Sequence, residues 1–182
     1  MHHAGGILLA WIGEGPMDAG LLAPVCREVG RQFGVPARVA AAGPPPAETW
    51  EPRRRQRSST KILRWLLTEP PGEGVRLVGI TDADLFIPVL TFVFGEAQLG
   101  GRAAVVSLAR LRETFDRRPA PPELVEARLL KECLHELGHT YGLVHCAGAS
   151  CVMSRSNTVM DVDGKTAAFC RACRLRLRET TS

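Results

Sequence analysis

The chain has 182 residues, 45% of them apolar and 23% charged, which suits one domain with a sizeable core. Its net charge of +4 is mild, so composition gives little reason to expect a nucleic-acid partner. No apolar run approaches the length of a membrane span, and the run Ile7–Ile12 is too short, with no Lys or Arg before it, for a signal peptide.

Met1–Ala4 read as a frayed end, and His2 and His3 receive no role. Gly6–Gly13 is a short apolar run between glycines, the pattern of a buried strand. Ala19–Phe33 follows with Leu21, Leu22, Val25, Val29 and Phe33 at helical spacing, and Gly34 is its stop. Cys26 within it reads as a buried free thiol. Val35–Ala41 is a second strand, ended by Gly43-Pro44-Pro45-Pro46. The run Arg53-Arg54-Arg55-Gln56-Arg57 lacks the interleaved aromatics on which nucleic-acid bases stack, so it reads as a solvated loop. Ser58–Leu67 is predicted helical, capped by Ser59 or Thr60 and closed by Pro70-Pro71-Gly72.

Val75–Ile80 is a third strand, with Asp82 and Asp84 in the turn after it. Phe92–Phe94 with Gly95-Glu96-Ala97 is a fourth, and Ala103–Leu108 a fifth. After Pro119, Pro121 and Pro122, Glu123 opens a helix whose first turn favours negative charge. Its apolar stripe is Leu124, Ala127, Leu130, Leu134, Leu137 and Tyr141, with His135 and His139 on the other face. Ser150–Asp163 has little periodicity. Arg174-Leu175-Arg176-Leu177-Arg178 fits either an edge strand or a short helix with a solvated charged face.

The most informative stretch lies at the end of the long helix. His135-Glu136-Leu137-Gly138-His139-Thr140-Tyr141-Gly142-Leu143-Val144-His145 reads HExxHxxGxxH. Residues four apart share a helix face, so His135 and His139 can offer two imidazoles to one metal. Gly142 can end the helix in a left-handed conformation, and the returning chain brings His145 as a third ligand. Three imidazoles leave a zinc position open, which is the form of a catalytic site. Glu136 is placed to act as general base on a zinc-activated water.

Cys146 follows directly, and Cys146-x4-Cys151 stands 18 residues ahead of Cys170-x2-Cys173. Two close pairs bridged by a loop form the usual closed structural zinc site. Cysteines in ligand spacing, rather than spread as a disulfide framework, point to a reducing, cytoplasmic setting. Cys133 stands outside both groups and reads as a buried thiol. The expected cofactors are therefore two Zn2+ per chain, one catalytic and one structural. The order of His145 and Cys146 makes the motif a junction between the two metals.

These features resemble the archaemetzincins, a group of zinc-dependent peptidases. The resemblance is carried by His135 to His145, the immediate Cys146, Cys151-Val152-Met153, and Cys170-Arg171-Ala172-Cys173. It extends to Thr81–Leu111, to Ser156-Asn157, and to Val162-Asp163 with Lys165. Sixteen residues separate Met153 from Cys170, one fewer than in the pattern as usually written. The resemblance implies an α/β, metzincin-like fold with a mixed, mostly parallel sheet and an active-site helix. It divides the single domain into an upper part, 1–142, and a small zinc-stabilised lower part, 143–182. It also implies that Met153 forms a methionine turn beneath the catalytic zinc; on sequence alone Met153 is equally a core methionine, and Met160 is a rival. Tyr141 is the chain's one tyrosine and lies in the motif helix, so a tyrosine near Met153 that could stabilise an oxyanion is absent. The expected activity is peptide hydrolysis by a monomer acting on peptides or proteins, with the segment Phe92–Ala97 as the edge for substrate. The rival is a zinc-stabilised binding module that contacts an acidic partner or nucleic acid through the basic tail.

Overall fold

The computed structural model describes residues 5–68 and 71–181; His2, His3 and Pro70 lie outside the described residues. The first strand, β1 (Gly6–Trp11), leads into helix α1 (Ala19–Phe33) and strand β2 (Ala37–Ala41). Asp18 caps α1 by accepting from the Leu21 amide at 3.0 Å. Its apolar residues at helical spacing, Leu22, Val25, Cys26, Val29 and Phe33, are buried. Gly34 ends the helix, as expected.

Within the Arg53–Arg57 segment, Arg53, Arg54 and Arg55 are exposed as expected, in the turn of a small hairpin, but Gln56 and Arg57 are buried. The hairpin pairs β3 (Trp50–Glu51) with β4 (Gln56–Ser58). Arg57 is buried because its guanidinium reaches the Thr49 hydroxyl at 2.6 Å and the Glu14 carboxylate at 2.5 Å. Helix α2 (Ser59–Leu66) is capped by Ser58, one residue before the expected cap, because Ser58 Oγ accepts from the Lys61 amide. Ser59 Oγ is engaged elsewhere, with the carboxylate of Glu96.

Strand β5 (Val75–Thr81) runs beside β1, and short β6 (Leu85–Phe86) pairs with β4. The fourth predicted strand is shorter than expected: β7 is only Gly95–Ala97. Phe92–Phe94 instead bend across to make a single bridge from Val93 to Leu85. Strand β8 (Ala103–Ser107) completes a five-stranded sheet of order β2-β1-β5-β8-β7. All its pairings are parallel except β7 with β8, which leaves β7 as an antiparallel edge. Both faces are covered, which explains the unbroken apolar runs of β1 and β8. Ile7, Leu9, Val78, Ile80, Ala104 and Val106 face α1 and the long helix α3 (Pro122–Thr140). Leu8, Ala10, Leu77 and Val105 face α2.

The predicted stripe on α3 needs correction. Leu124, Ala127 and Leu130 are only half-buried, whereas Val125, Arg128, Leu129, Glu132 and Cys133 are buried. From Glu132 to Gly138 the helix is buried all round, because the sheet covers one side and the chain after Leu143 covers the other. A one-sided stripe cannot describe a helix enclosed in this way. The C-terminal region holds two helices, α4 (Val159–Gly164) and α5 (Arg171–Thr181), so the arginine-rich tail takes the helical alternative. Arg174 donates to the Gln32 carbonyl at 2.8 Å, so part of the tail's charge is used in docking against α1. Among the described residues, no helix is long and apolar enough to cross a membrane.

Candidate metal centres and active-site cleft

The last turns of α3 and the reversal after them bring the three predicted imidazoles to one point. His135, His139 and His145 each offer a ring nitrogen, and these lie within 4.8 Å of one another. Gly142 has φ of 86°, in the left-handed region, and this reversal returns the chain so that His145 faces the helix. The Nδ1 atoms of His135 and His139 lie 2.8 Å from the Val152 carbonyl and 2.7 Å from the Leu143 carbonyl. A carbonyl only accepts, so both Nδ1 atoms carry hydrogen and both Nε2 lone pairs face inward. Those two Nε2 atoms lie 3.1 Å apart. Two neutral rings with lone pairs so close repel unless a cation stands between them, and this donor set suits a zinc ion.

Burial, above all, lowers the pKa of all three histidines below the ordinary 6.5. As pH falls through 6.5, the unfolded chain takes up protons that the folded rings refuse. Protein whose histidine site is empty while its thiol site keeps zinc therefore loses stability on acidification in that window. Glu136 acts in the opposite sense, because burial and then Glu132 push its pKa well above 4.5 and the folded chain keeps its proton. The histidine effect is isolated in Glu136→Gln with the histidine site empty and the thiol zinc retained, whose melting temperature should fall between about pH 7.5 and about pH 5.5. A flat profile would show that the rings titrate normally.

Glu136 is enclosed between the sheet and the cleft. A Cβ on Gly95 would stand 2.8 Å from Glu136 Cγ and 2.7 Å from the Val105 carbonyl oxygen. Only glycine allows the edge strand to approach the carboxylate so closely. Gly95→Ala should cost about 1–3 kcal/mol of stability and displace Glu136, read by denaturant titration alongside peptide cleavage. Unchanged stability and cleavage would show that the strand gives way freely. The sequence offered no sign of this role, which depends on β7 passing over α3.

A second feature the sequence did not reveal is a buried charge pair. Glu132, one turn before Glu136, pairs with Lys165 at 3.0 Å, and both are almost wholly buried. One turn earlier still, Arg128 makes a bidentate pair with Asp163 at 2.7 and 2.6 Å. Together they fasten α3 to the segment that follows Met153. Met153 is buried, and its carbonyl accepts from the Cys146 amide at 2.9 Å, tying the methionine to the His145–Cys146 junction. Its sulfur fills the space a Cβ on Gly138 would need. Met160, the rival, is exposed.

The four cysteines also converge. The Sγ atoms of Cys146, Cys151, Cys170 and Cys173 lie within 4.8 Å of one another, and Cys146 Sγ is 3.8 Å from Cys170 Sγ. All six cysteines are free. The Gly148 and Cys170 amides donate to the sulfurs of Cys146 and Cys151, each at 3.3 Å. Burial pushes the Cys151 and Cys173 thiols up. The Cys170 thiol is lowered to about 7, first by its hydrogen bond from the Cys173 amide. The chemistry of this donor set fits a closed zinc site. Cys133 is buried outside both groups, where burial raises its pKa, and Cys26 is likewise buried. Tyr141 packs against Phe33 with ring centroids 4.8 Å apart, in the core and away from the cleft.

Two depressions flank the histidines. One, of about 510 Å3, is bordered by Leu90–Gly95, Glu132, Arg155–Asn157 and Lys165; the other, of about 390 Å3, by Glu96, Ala97, Leu99 and Val144. Gly95, His135, Glu136 and His145 border both, so the histidines lie midway along a groove beside edge strand β7.

Comparison with known proteins agrees with this architecture. Residues 72–179 match the model of peptidase family M54. An archaemetzincin from Methanocaldococcus jannaschii is 44% identical over 126 residues, covering 69% of this chain and 68% of that protein. The crystal structure of archaemetzincin from Methanopyrus kandleri superposes with a TM-score of 0.87 at 35% identity, covering 100% of this chain and 98% of that one. A zinc-dependent peptidase from Methanocorpusculum labreanum superposes with a TM-score of 0.81 at 30% identity, covering 94% and 100%. By sequence and by fold, the chain belongs to peptidase family M54, the archaemetzincins.

Proposed function

We propose that the chain hydrolyses peptide bonds at the His135–His139–His145 centre, with Glu136 as general base. The carrying observation is the pair of inward-facing Nε2 atoms 3.1 Å apart, beside a buried carboxylate at the middle of an open groove. Family membership supports the reaction class, zinc-dependent peptide hydrolysis. Zinc held by the three imidazoles supplies a Lewis acid and brings water towards ionisation at neutral pH.

The remaining work falls to the chain's own residues. Glu136, which the charge of a metal on the three imidazoles would hold ionised against the effect of burial, accepts a proton from the attacking water and later delivers it to the leaving amine. Its close contact with Gly95 fixes the carboxylate's position. The Val152 and Leu143 carbonyls hold the imidazoles in the ligating tautomer. Substrate adds as a further strand along β7, whose outer edge borders the groove. We assign the four cysteines to a second, structural zinc, Met153 to the turn beneath the histidines, and residues 143–182 to a lower subdomain. The free cysteines fit a reducing cytoplasmic setting, and the unit of action is a monomer.

The binding-module reading draws its support from the basic tail, but Arg174 is occupied against Gln32 and above the Phe169 ring. Metal analysis with a peptide-library digest separates the two. Two zincs per chain, with cleavage lost in Glu136→Ala, is the expected result. Two zincs without cleavage of any peptide would favour the binding module, and one zinc would overturn the two-site assignment.

A further inference from the structure

The larger depression ends in a corner whose polar groups the hydrolytic step does not use. Arg155, Ser156 and Asn157 border it, opposite the apolar wall of Leu90, Phe92 and Val93. Arg155 is exposed, and none of the ion pairs among the described residues includes it. Its guanidinium has only a 3.4 Å approach to His145 Nδ1. Ser156 Oγ is buried without a hydrogen-bond partner, which is costly unless something else supplies one. Lys165 brings a second cation to the cavity, but Glu132 balances it. Arg155 is therefore the corner's uncompensated charge.

The direction of the groove says which part of a substrate meets this corner. Strand β7 runs from Gly95, shared by both depressions, to Glu96 and Ala97, which border only the smaller one. A peptide added antiparallel to β7 runs the other way. Its residues after the cleaved bond then enter the larger depression.

The geometry points to this corner as a carboxylate-binding subsite on the leaving side of the substrate, with Arg155 as the charge partner. This rests on the proposed peptidase reading. The carboxylate is either an Asp or Glu side chain after the cleaved bond or the substrate's own C-terminus. An arginine fork matches either.

The test uses zinc-loaded full-length protein and four versions of each peptide: Glu or Gln after the cleaved bond, with a free or an amidated C-terminus. Cleavage is followed with the native chain and binding with Glu136→Gln, by fluorescence anisotropy. An acidic group should improve binding and kcat/KM at least about ten-fold, and raised salt should shrink the gain. Arg155→Gln should abolish the gain, so that acidic and neutral versions of each peptide bind alike, and Arg155→Lys should restore part of it. A gain confined to free C-termini assigns the carboxylate to the chain end; a gain that persists in amidated Glu peptides assigns it to the side chain. Cleavage without acidic preference would overturn the subsite and leave the peptidase reading intact. Acid-selective binding without cleavage would overturn the peptidase reading and leave the subsite. Absence of both would remove both.

Discussion

Replacing Glu136 by Gln should lower peptide cleavage by about 10²–10⁴-fold, the usual range for losing a positioned general base. The exchange keeps the side chain's size, so the close fit under Gly95 survives. It also removes a group whose ionised form is penalised by burial. Compared with the histidine site empty and the thiol zinc in place, Glu136→Gln should thus be at least as stable as the native chain at neutral pH, by thermal unfolding. On zinc loading it should bind both metals, because the amide leaves the imidazoles and thiols untouched. Loss of activity with gained or equal stability separates a functional carboxylate from a structural one, since a structural one would cost stability when changed. Cleavage within about two-fold of the native rate would remove Glu136 from the mechanism.

The parts of the site legible in the sequence are those set by local spacing. His135, Glu136 and His139 lie within two helical turns, and His145 and Cys146 follow one reversal at Gly142, so one short stretch specifies them. The Cys170–Cys173 pair is also a local pattern, and its pairing with the first two cysteines follows from ligand number. The parts that were not legible depend on tertiary approach. Glu132 meets Lys165, 33 residues on, only after the C-terminal segment folds under α3. The same cover buries Arg128 and Glu132 and erases the one-sided stripe. Arg57 looked solvated because a run of arginines usually is, yet Glu14 and Thr49 draw this one inward. Phe92–Phe94 have a strand's composition, but the chain there bends across to Leu85 and forms the groove's apolar wall.

Cys173→Ser should abolish structural zinc and, with it, most peptidase activity, although Cys173 stands 28 residues from His145 in the chain. Cys146→Ser should do the same, but its neighbour His145 leaves open a purely local cause. The remote variant removes that ambiguity. Between Leu143 and Cys170 the chain is mostly loop, with only short α4 as regular structure. Val152, Met153, Val162 and Phe169 of this segment pack into the core, but no strand braces the loops that present them, so metal binding should supply much of their order. Structural zinc contributes about 10–16 kcal/mol in small zinc modules. Whole domains are stable by only about 5–15 kcal/mol, so its loss should unfold the segment locally rather than merely soften it. Val152 and Met153 lie inside that segment. One offers the carbonyl that orients His135, and the other accepts from the amide beside His145. Loosening them should disturb two of the three imidazoles, giving a fall in cleavage of more than about ten-fold and new protease sensitivity between residues 143 and 170. Helices α1 and α3 keep their packing against the sheet, so most helical signal should persist. If Cys173→Ser retains both zincs, or loses one and still cleaves peptide at the native rate, the thiol cluster does not support the histidine site and the two centres are independent.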